Sequence, residues 1–492
     1  MPPSCATFAM QMVNEQKHTQ LQKRLQETFP YEPTEGQEHL IYAFSKFLYS
    51  DKPRCALVIK GYAGTGKTTL TGTIVKVLRE MKHKVVLMAP TGRAAKVLAS
   101  FSNYPAYTIH RTIYAKKGGG ADAVSFNLSN NRHKGAVFIV DEASMIGEGG
   151  GQGDQGIEHR DLLEDLMEYV YSGENCRLVM IGDGAQLPPV GSDESPALSL
   201  DHLRKSHYLT VASLELDEVV RQELDSGILF NANILRQFLQ SGSKGFPRLT
   251  TQGFTDIQNV IGNELQELLE DLYARHSEDE VIVITRSNKR ANQFNQQIRA
   301  RILWREEEIT AGDRLMVVKN NYFWLTEHKD APTSFIANGD MVEVQKVIKY
   351  QDLYGGRFAD VEVKLIDYPD FPAFEVKIML DVLNLDKASL SFADQRSLYH
   401  AVTEDYMHLG ARGKIHRAIM KDPFYNALQV KFGYAVTCHK SQGGQWPAVV
   451  VDQGYLTEEM LDISLLRWFY TAFTRAQQEL YLLNFNEAFF SE

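Results

Sequence analysis

The sequence predicts an α/β protein with two units built on parallel sheets, a small β-barrel insertion in the second and a short hairpin insertion in the first. Three observations point there. Short β-branched runs, ALVIK at 56–60, VVLMA at 85–89, VFIV at 137–140 and LVMIG at 178–182, alternate with helical stretches and are bounded by turn residues. Runs without polar alternation, separated by crossover-length segments, are how a parallel sheet covered on both faces reads in sequence. A second set opens at VIVIT, 281–285, and returns at AVVVD, 448–452, and ELYLLN, 479–484. Between them the pattern changes to period-two alternation, MVEVQKVI and DVEVKLI, then to a polar helical stretch near Phe392 to Met420. Alternation marks strands with one buried face, which suits a small barrel.

Taken in order, residues 1–28 are a polar, Gln- and Lys-rich arm with a short helix expected over Glu15 to Thr28, either mobile or packed. The first α/β domain is expected over 29–212, with its hairpin at about 114–135. The GEGGGQGDQG stretch at 147–156 reads as a flexible loop. The second domain is expected over 213–340 and 431–492, interrupted by the barrel and its helical stretch over 341–430.

Composition narrows the class. A chain of 492 residues has room for about three structural units. With 44% hydrophobic and 23% charged residues it resembles soluble globular proteins, which argues against disorder, collagen and coiled-coil arrays. Cysteines at 5, 55, 176 and 438 are too dispersed for a zinc ribbon and too few for a disulfide scaffold. No apolar run approaches the ~18 residues of a membrane span, so the expected location is the cytoplasm. The formal charge of −10 excludes indiscriminate coating of a polyanion. It leaves room for a local track, because 76–96 holds six Lys/Arg against one acid and 284–305 holds six against none, whereas 264–280 holds seven acids against one Arg.

The chemistry begins at Gly61-Tyr-Ala-Gly-Thr-Gly-Lys67-Thr68, a G-x-x-x-x-G-K-[ST] motif between the strand ALVIK and a helical run. Gly61, Ala63, Gly64, Thr65, Gly66, Lys67, Thr68 and Thr69 can wrap phosphate oxygens with backbone N–H groups at a helix N-terminus. Lys67 is expected to reach the β- and γ-phosphates and Thr68 to coordinate Mg²⁺, making Mg²⁺ the expected cofactor of a bound nucleotide, which the resemblance below implies is ATP. VFIV ends in Asp141-Glu142, two carboxylates at the ligand-binding edge of a parallel sheet. Asp141 is assigned to the metal and Glu142 to the attacking water. GDGAQLPPV, 182–190, follows a further strand and offers Gln186 to the γ-phosphate.

With TEGQ at 34–37, APTGRAAKVL at 89–98, TIHR at 108–111, HKSQGGQW at 439–446 and YTAFTRA at 470–476, these segments resemble the superfamily 1 helicases, and most nearly the B branch that includes RecD, Dda and the Pif-type enzymes. The resemblance runs from about 29 to 488 in the family's order and implies two RecA-like domains. It implies that Gln37 reads adenine, that Arg221 and Arg475 are aimed at the γ-phosphate, and that Gly443 and Gln445 lie near the nucleotide. Gln445 stands where relatives often carry Glu, which weakens its assignment. It further implies single-strand contacts at Thr91, His110, Thr285, Asn288, Thr437 and His439. The expected activity is ATP-dependent unwinding of DNA with 5′ to 3′ movement, by a monomer acting at single-strand/duplex junctions and without a membrane. Phe126, in the expected hairpin, is the candidate strand-separating pin. Two alternatives stand beside this reading: an RNA or RNA–DNA helicase of the same superfamily, and a DNA-binding ATPase switch subunit that does not unwind.

Overall fold

A computed structural model describes residues 5–116, 126–148, 161–218, 225–328, 330–333 and 335–490. Its first sheet has six strands in the spatial order Ala106–Thr108, Val85–Ala89, Val137–Val140, Arg177–Gly182, Cys55–Gly61 and Thr210–Leu216. Every pairing is parallel. The apolar runs are buried on both faces, as their composition requires, and all carboxyl ends share one edge. Gly61, Asp141 and Gly182 therefore meet at a common rim.

The second sheet is also wholly parallel, in the order Ala435–Thr437, Val281–Thr285, Trp446–Asp452, Ala476–Leu483 and Ile257–Val260. Beside it a closed barrel runs Arg314–Val317, Met341–Leu353, Gly356–Leu365, Phe374–Met379 and Leu428–Phe432. Alternate residues fill it, Val342 with Val344, Val361 with Val363, Leu428 with Val430, which is the period-two pattern at work. The polar stretch after the fourth strand forms two helices, Phe392–Tyr406 and Arg412–Ile419. The α/β class with two parallel sheets and a barrel is thus the observed fold.

Three boundaries differ from expectation. Thr210–Leu216 pairs along its whole length with Cys55–Gly61, so the first unit extends to 216 rather than 212. This edge strand, half exposed and carrying Thr, Ser and Glu, lacks the continuous apolar run that marks its neighbours. The barrel takes in Arg314–Val317, outside 341–430, and Leu428–Phe432, which runs two residues past it, because those two strands pair with each other to close it. The arm is a helix from Cys5 to Thr28, longer than predicted, and Leu21 and Leu25 are fully buried in one core with Leu40, Phe44 and Leu70. The hairpin is present as Tyr114–Lys116 against Phe126–Leu128. Residues 117–125, and 149–156 of the predicted loop, lie outside the described residues. No described helix is long and apolar enough to cross a membrane.

Candidate nucleotide and strand-contact site

The phosphate loop starts where Cys55–Gly61 ends and stops where the helix Lys67–Glu80 begins. Gly64 and Gly66 take φ of 74° and 77°, left-handed conformations that glycine alone adopts without strain. At Gly61 a Cβ would lie 2.9 Å from the Lys67 side chain, so a third glycine is dictated by close approach. Lys67 Nζ donates to the carbonyls of Gly61 and Tyr62, both at 2.6 Å, and lies near enough to Asp141 to favour its ionised form. Thr65 is buried and ties the turn together through Oγ1 to the Tyr62 carbonyl at 2.8 Å. Gln37 is buried too: its Oε1 accepts from Thr34 N–H in a capping box, and its Nε2 donates to the Thr65 carbonyl at 3.1 Å. That amide braces the loop from the preceding helix.

Asp141 and Glu142 face the loop from the third strand of the sheet. Burial and the neighbouring Glu142 carboxylate push the Asp141 carboxyl up to about 7, against the pull of Lys67 and of the Glu142 N–H it accepts. Glu142 sits at φ 51°, a left-handed position that costs a non-glycine residue ~1–3 kcal/mol and turns the chain sharply at the strand end. Thr68 and Asp141 offer hard oxygen donors, the set that suits Mg²⁺. Gln186 is 7% exposed, and its Oε1 is buried with no hydrogen-bond partner among the described residues, an uncompensated acceptor next to the carboxylate edge.

The opposite wall comes from the second unit. Tyr470, on the helix Ile463–Phe473, accepts the P-loop N–H of Ala63 at 2.8 Å and donates to Asp183 Oδ2 at 2.7 Å. The loop after Gly182 is knit further to the second unit by Leu187 N–H to Thr471 Oγ1 (2.8 Å) and Gln442 Nε2 to the Leu187 carbonyl (2.7 Å). Arg475 is 3% exposed and donates only to the carbonyls of Thr471 and Gly444 and the Thr474 hydroxyl; among the described residues no carboxylate neutralises it. Arg221 lies outside the described residues.

Residues 35–237 match the family described as "AAA domain", and residues 432–483 match the "UvrD-like helicase C-terminal domain". Across most of the chain the sequence is similar to the ATP-dependent DNA helicase dda of Enterobacteria phage T4, 26% identical over 430 residues, 83% of this chain and 90% of that one. The chain belongs to the superfamily 1B helicases. It is also similar to the ATP-dependent RecD2 DNA helicase of Deinococcus radiodurans, 29% identical over 177 residues, which are 35% of this chain and 20% of that one. Among solved structures it is similar to a Pif1 helicase from Bacteroides in complex with ADP-AlF3 and ssDNA, at 14% identity and a TM-score of 0.46, with 94% of this chain and 95% of that one covered.

In this helicase the residues expected at the strand path divide by environment. Thr91 caps the helix Gly92–Ser102, its Oγ accepting from Ala94 N–H at 3.2 Å. His110 packs edge-on against Phe335, 6.2 Å between centroids, and burial pushes its imidazole down to about 4. Thr285 and Thr437 are register partners at neighbouring strand ends. The Thr285 side chain is fully buried, its hydroxyl donating to the Ser287 carbonyl at 3.1 Å, so it shapes the loop instead of facing a ligand. Asn288 opens the next helix, and His439 is exposed. Phe126 begins the second hairpin strand, paired with Lys116. The aromatics at 322–335 pack together, Tyr322 on Phe335 at 4.9 Å, as core.

Gly443 and Gln445, expected near the nucleotide, pack here against the first unit. Gly443, at φ 73°, abuts Thr91 and Ala94. Gln445 is exposed, accepts from Gln477, and offers its carbonyl to Arg93, whose guanidinium stacks 3.9 Å over Trp446. Gln445, Arg93 and Trp446 line a cavity of about 430 Å³ together with Thr91, Lys440 and Gln442, where both units and the barrel meet. Two residues at the cleft escaped the sequence reading. One is Tyr470, inside a segment valued only for its arginine. The other is Arg236, 9% exposed, stacked 4.5 Å from the Tyr62 ring, its Nε without a hydrogen-bond partner among the described residues. A signal for it existed: Arg236 is the single charged residue of the helix GILFNANILRQFLQS.

Proposed function

We propose that this helicase couples hydrolysis of Mg-ATP to 5′ to 3′ movement on single-stranded DNA and thereby separates duplex at a junction, acting as a monomer. One observation carries the reading. A single hydroxyl, Tyr470 Oη, bridges the P-loop and Asp183 from the second sheet's helix, so that both sides of one phosphate site come from one chain.

The chemistry assigned to the side chains is as follows. The loop amides and Lys67 hold the β- and γ-phosphates. Thr68 and Asp141 would hold Mg²⁺, which when bound supplies charge neutralisation between those phosphates. Glu142 accepts a proton from the water whose oxygen bonds to the γ-phosphorus while the bond to the ADP oxygen breaks; Gln186 orients that water. Arg475, buried and unneutralised, complements the charge on the transferred phosphoryl group, with Arg221 as the second candidate. The assignment of adenine to Gln37 would require its amide to exchange a present partner. Release of phosphate changes what the P-loop offers to the second unit, and repeated opening and closing of the cleft moves the strand. Strand contact is assigned to Thr91, Asn288, Thr437 and His439, with His110 and Thr285 supporting the loops that carry them, and Phe126 at the junction.

The test is displacement of a labelled strand from duplexes bearing only a 5′ or only a 3′ single-stranded tail, with Lys67→Ala as control. Displacement from the 5′-tailed substrate alone is expected. Displacement from the 3′-tailed substrate alone reverses the polarity, and ATPase activity without displacement from either turns the reading to a switch. Activity confined to tailed RNA duplexes assigns the RNA alternative.

A further inference from the structure

Away from the nucleotide cleft, three metal-competent side chains converge on the first unit. Glu148 follows the turn Ala143–Met145, His202 lies on the helix Leu200–Lys205, and His207 is in the turn before the strand Thr210–Leu216. One ligand atom from each lies within 4.8 Å of the other two. We infer that Glu148, His202 and His207 form a binding site for a divalent transition-metal ion of the zinc class.

The donor atoms are arranged for it. His202 Nε2 faces the Glu148 carboxylate. His202 Nδ1 is 3.3 Å from the Ser206 hydroxyl, and an Nδ1–H donated there leaves Nε2 its lone pair while fixing the ring. The His207 ring stands edge-on to it, centroids 5.3 Å apart, and His207 Nε2 is buried without a hydrogen-bond partner among the described residues. A buried imidazole nitrogen with no partner is uncompensated, and a cation removes that cost. Donors on a tetrahedral zinc stand about 3.3 Å apart, so shifts of about 1 Å complete the site.

Two imidazoles and one carboxylate are a borderline donor set, which takes Zn²⁺, Co²⁺ or Ni²⁺ and leaves a fourth position to water. Mg²⁺ prefers an all-oxygen shell and is not expected to compete. The ion would pin three chain segments, one continuing from Asp141-Glu142, one following the Gln186 loop and one leading into the edge strand.

The full chain, stripped with a chelator, is titrated with Zn²⁺ against a chromogenic competitor in excess Mg²⁺, and separately with Co²⁺ while visible absorption is followed. Expected are one equivalent of Zn²⁺, a Co²⁺ spectrum without a thiolate charge-transfer band, and binding weakened at least about tenfold in His207→Ala and in Glu148→Gln. Glu148 is exposed, so Glu148→Gln keeps the fold and reads the site even if His207→Ala does not fold. Absence of binding above Mg²⁺ competition, a thiolate band, or undiminished affinity in Glu148→Gln overturns the site.

Discussion

Replacing Tyr470 with Phe removes one oxygen from the cleft and with it two hydrogen bonds that cross between the units. The ring, 1% exposed, keeps its packing, so the change isolates the hydroxyl. Ala63 N–H becomes a part-buried donor without a protein partner, which costs ~1 kcal/mol or somewhat more. Asp183 loses a hydrogen bond to a carboxylate worth ~1.5–3 kcal/mol, although Ala185 N–H still reaches its other oxygen at 2.9 Å. Because both losses share one group whose own desolvation is recovered, the net destabilisation is about 2–4 kcal/mol. The measurement is urea unfolding followed by tryptophan fluorescence, since all four tryptophans, 304, 324, 446 and 468, lie beyond the first sheet. A double-mutant cycle with Asp183→Ala separates the bridge from general destabilisation, with an expected coupling of ~1–3 kcal/mol. Coupling below about 0.5 kcal/mol, with both single variants folded, refutes the view that this hydroxyl joins the two halves.

Glu142→Gln is expected to lower kcat of the DNA-stimulated ATPase by ~10²–10⁴-fold while nucleotide binding, read by a fluorescent ATP analogue, persists. Arg299 and Asp313 form a bidentate pair at 2.9 and 2.8 Å, 8% and 0% exposed, so Arg299→Ala leaves a buried carboxylate only Arg305, at 3.5 Å, as a cation and should cost ~3 kcal/mol in urea unfolding. His110, held at about 4, takes up its proton in the unfolded chain before the folded one. Its contribution is therefore complete above pH 6.5 and lost as pH falls toward 4; His110→Leu should flatten the stability difference between pH 7 and pH 5 by about 2 kcal/mol, measured from urea midpoints.

The parts legible in the sequence are those written in contiguous residues. The P-loop, the strand ending in Asp141-Glu142 and the alternating barrel strands each announce themselves within about ten positions. What distant residues do to one another is not written that way. The basic window 284–305 suggested a track for phosphates, yet Arg290 pairs with Asp452, Arg299 with Asp313 and Arg305 with Glu278. Only the fold brings those acids near. Among the described residues Arg286, Lys289 and Arg301 remain exposed without a carboxylate partner, a narrower patch than the count implied. Likewise Gly443 and Gln445 stand beside the segments that reach Leu187 and Arg475, but the left-handed turn at Gly443 sends them to Thr91 and Arg93 instead.

The last barrel strand, Leu428–Phe432, and the edge strand of the second sheet, Ala435–Thr437, are separated by two residues, Gly433 and Tyr434. Tyr434 is fully buried and its hydroxyl engages Asp313 and the Arg314 N–H at the first barrel strand. The joint is thus a stiff splice. With only two residues between them, the barrel and the strand ending at Thr437 have little room to turn against each other. The barrel and the second sheet should move as a single arm, leaving the cleft bridged by Tyr470 as the place where the machine bends.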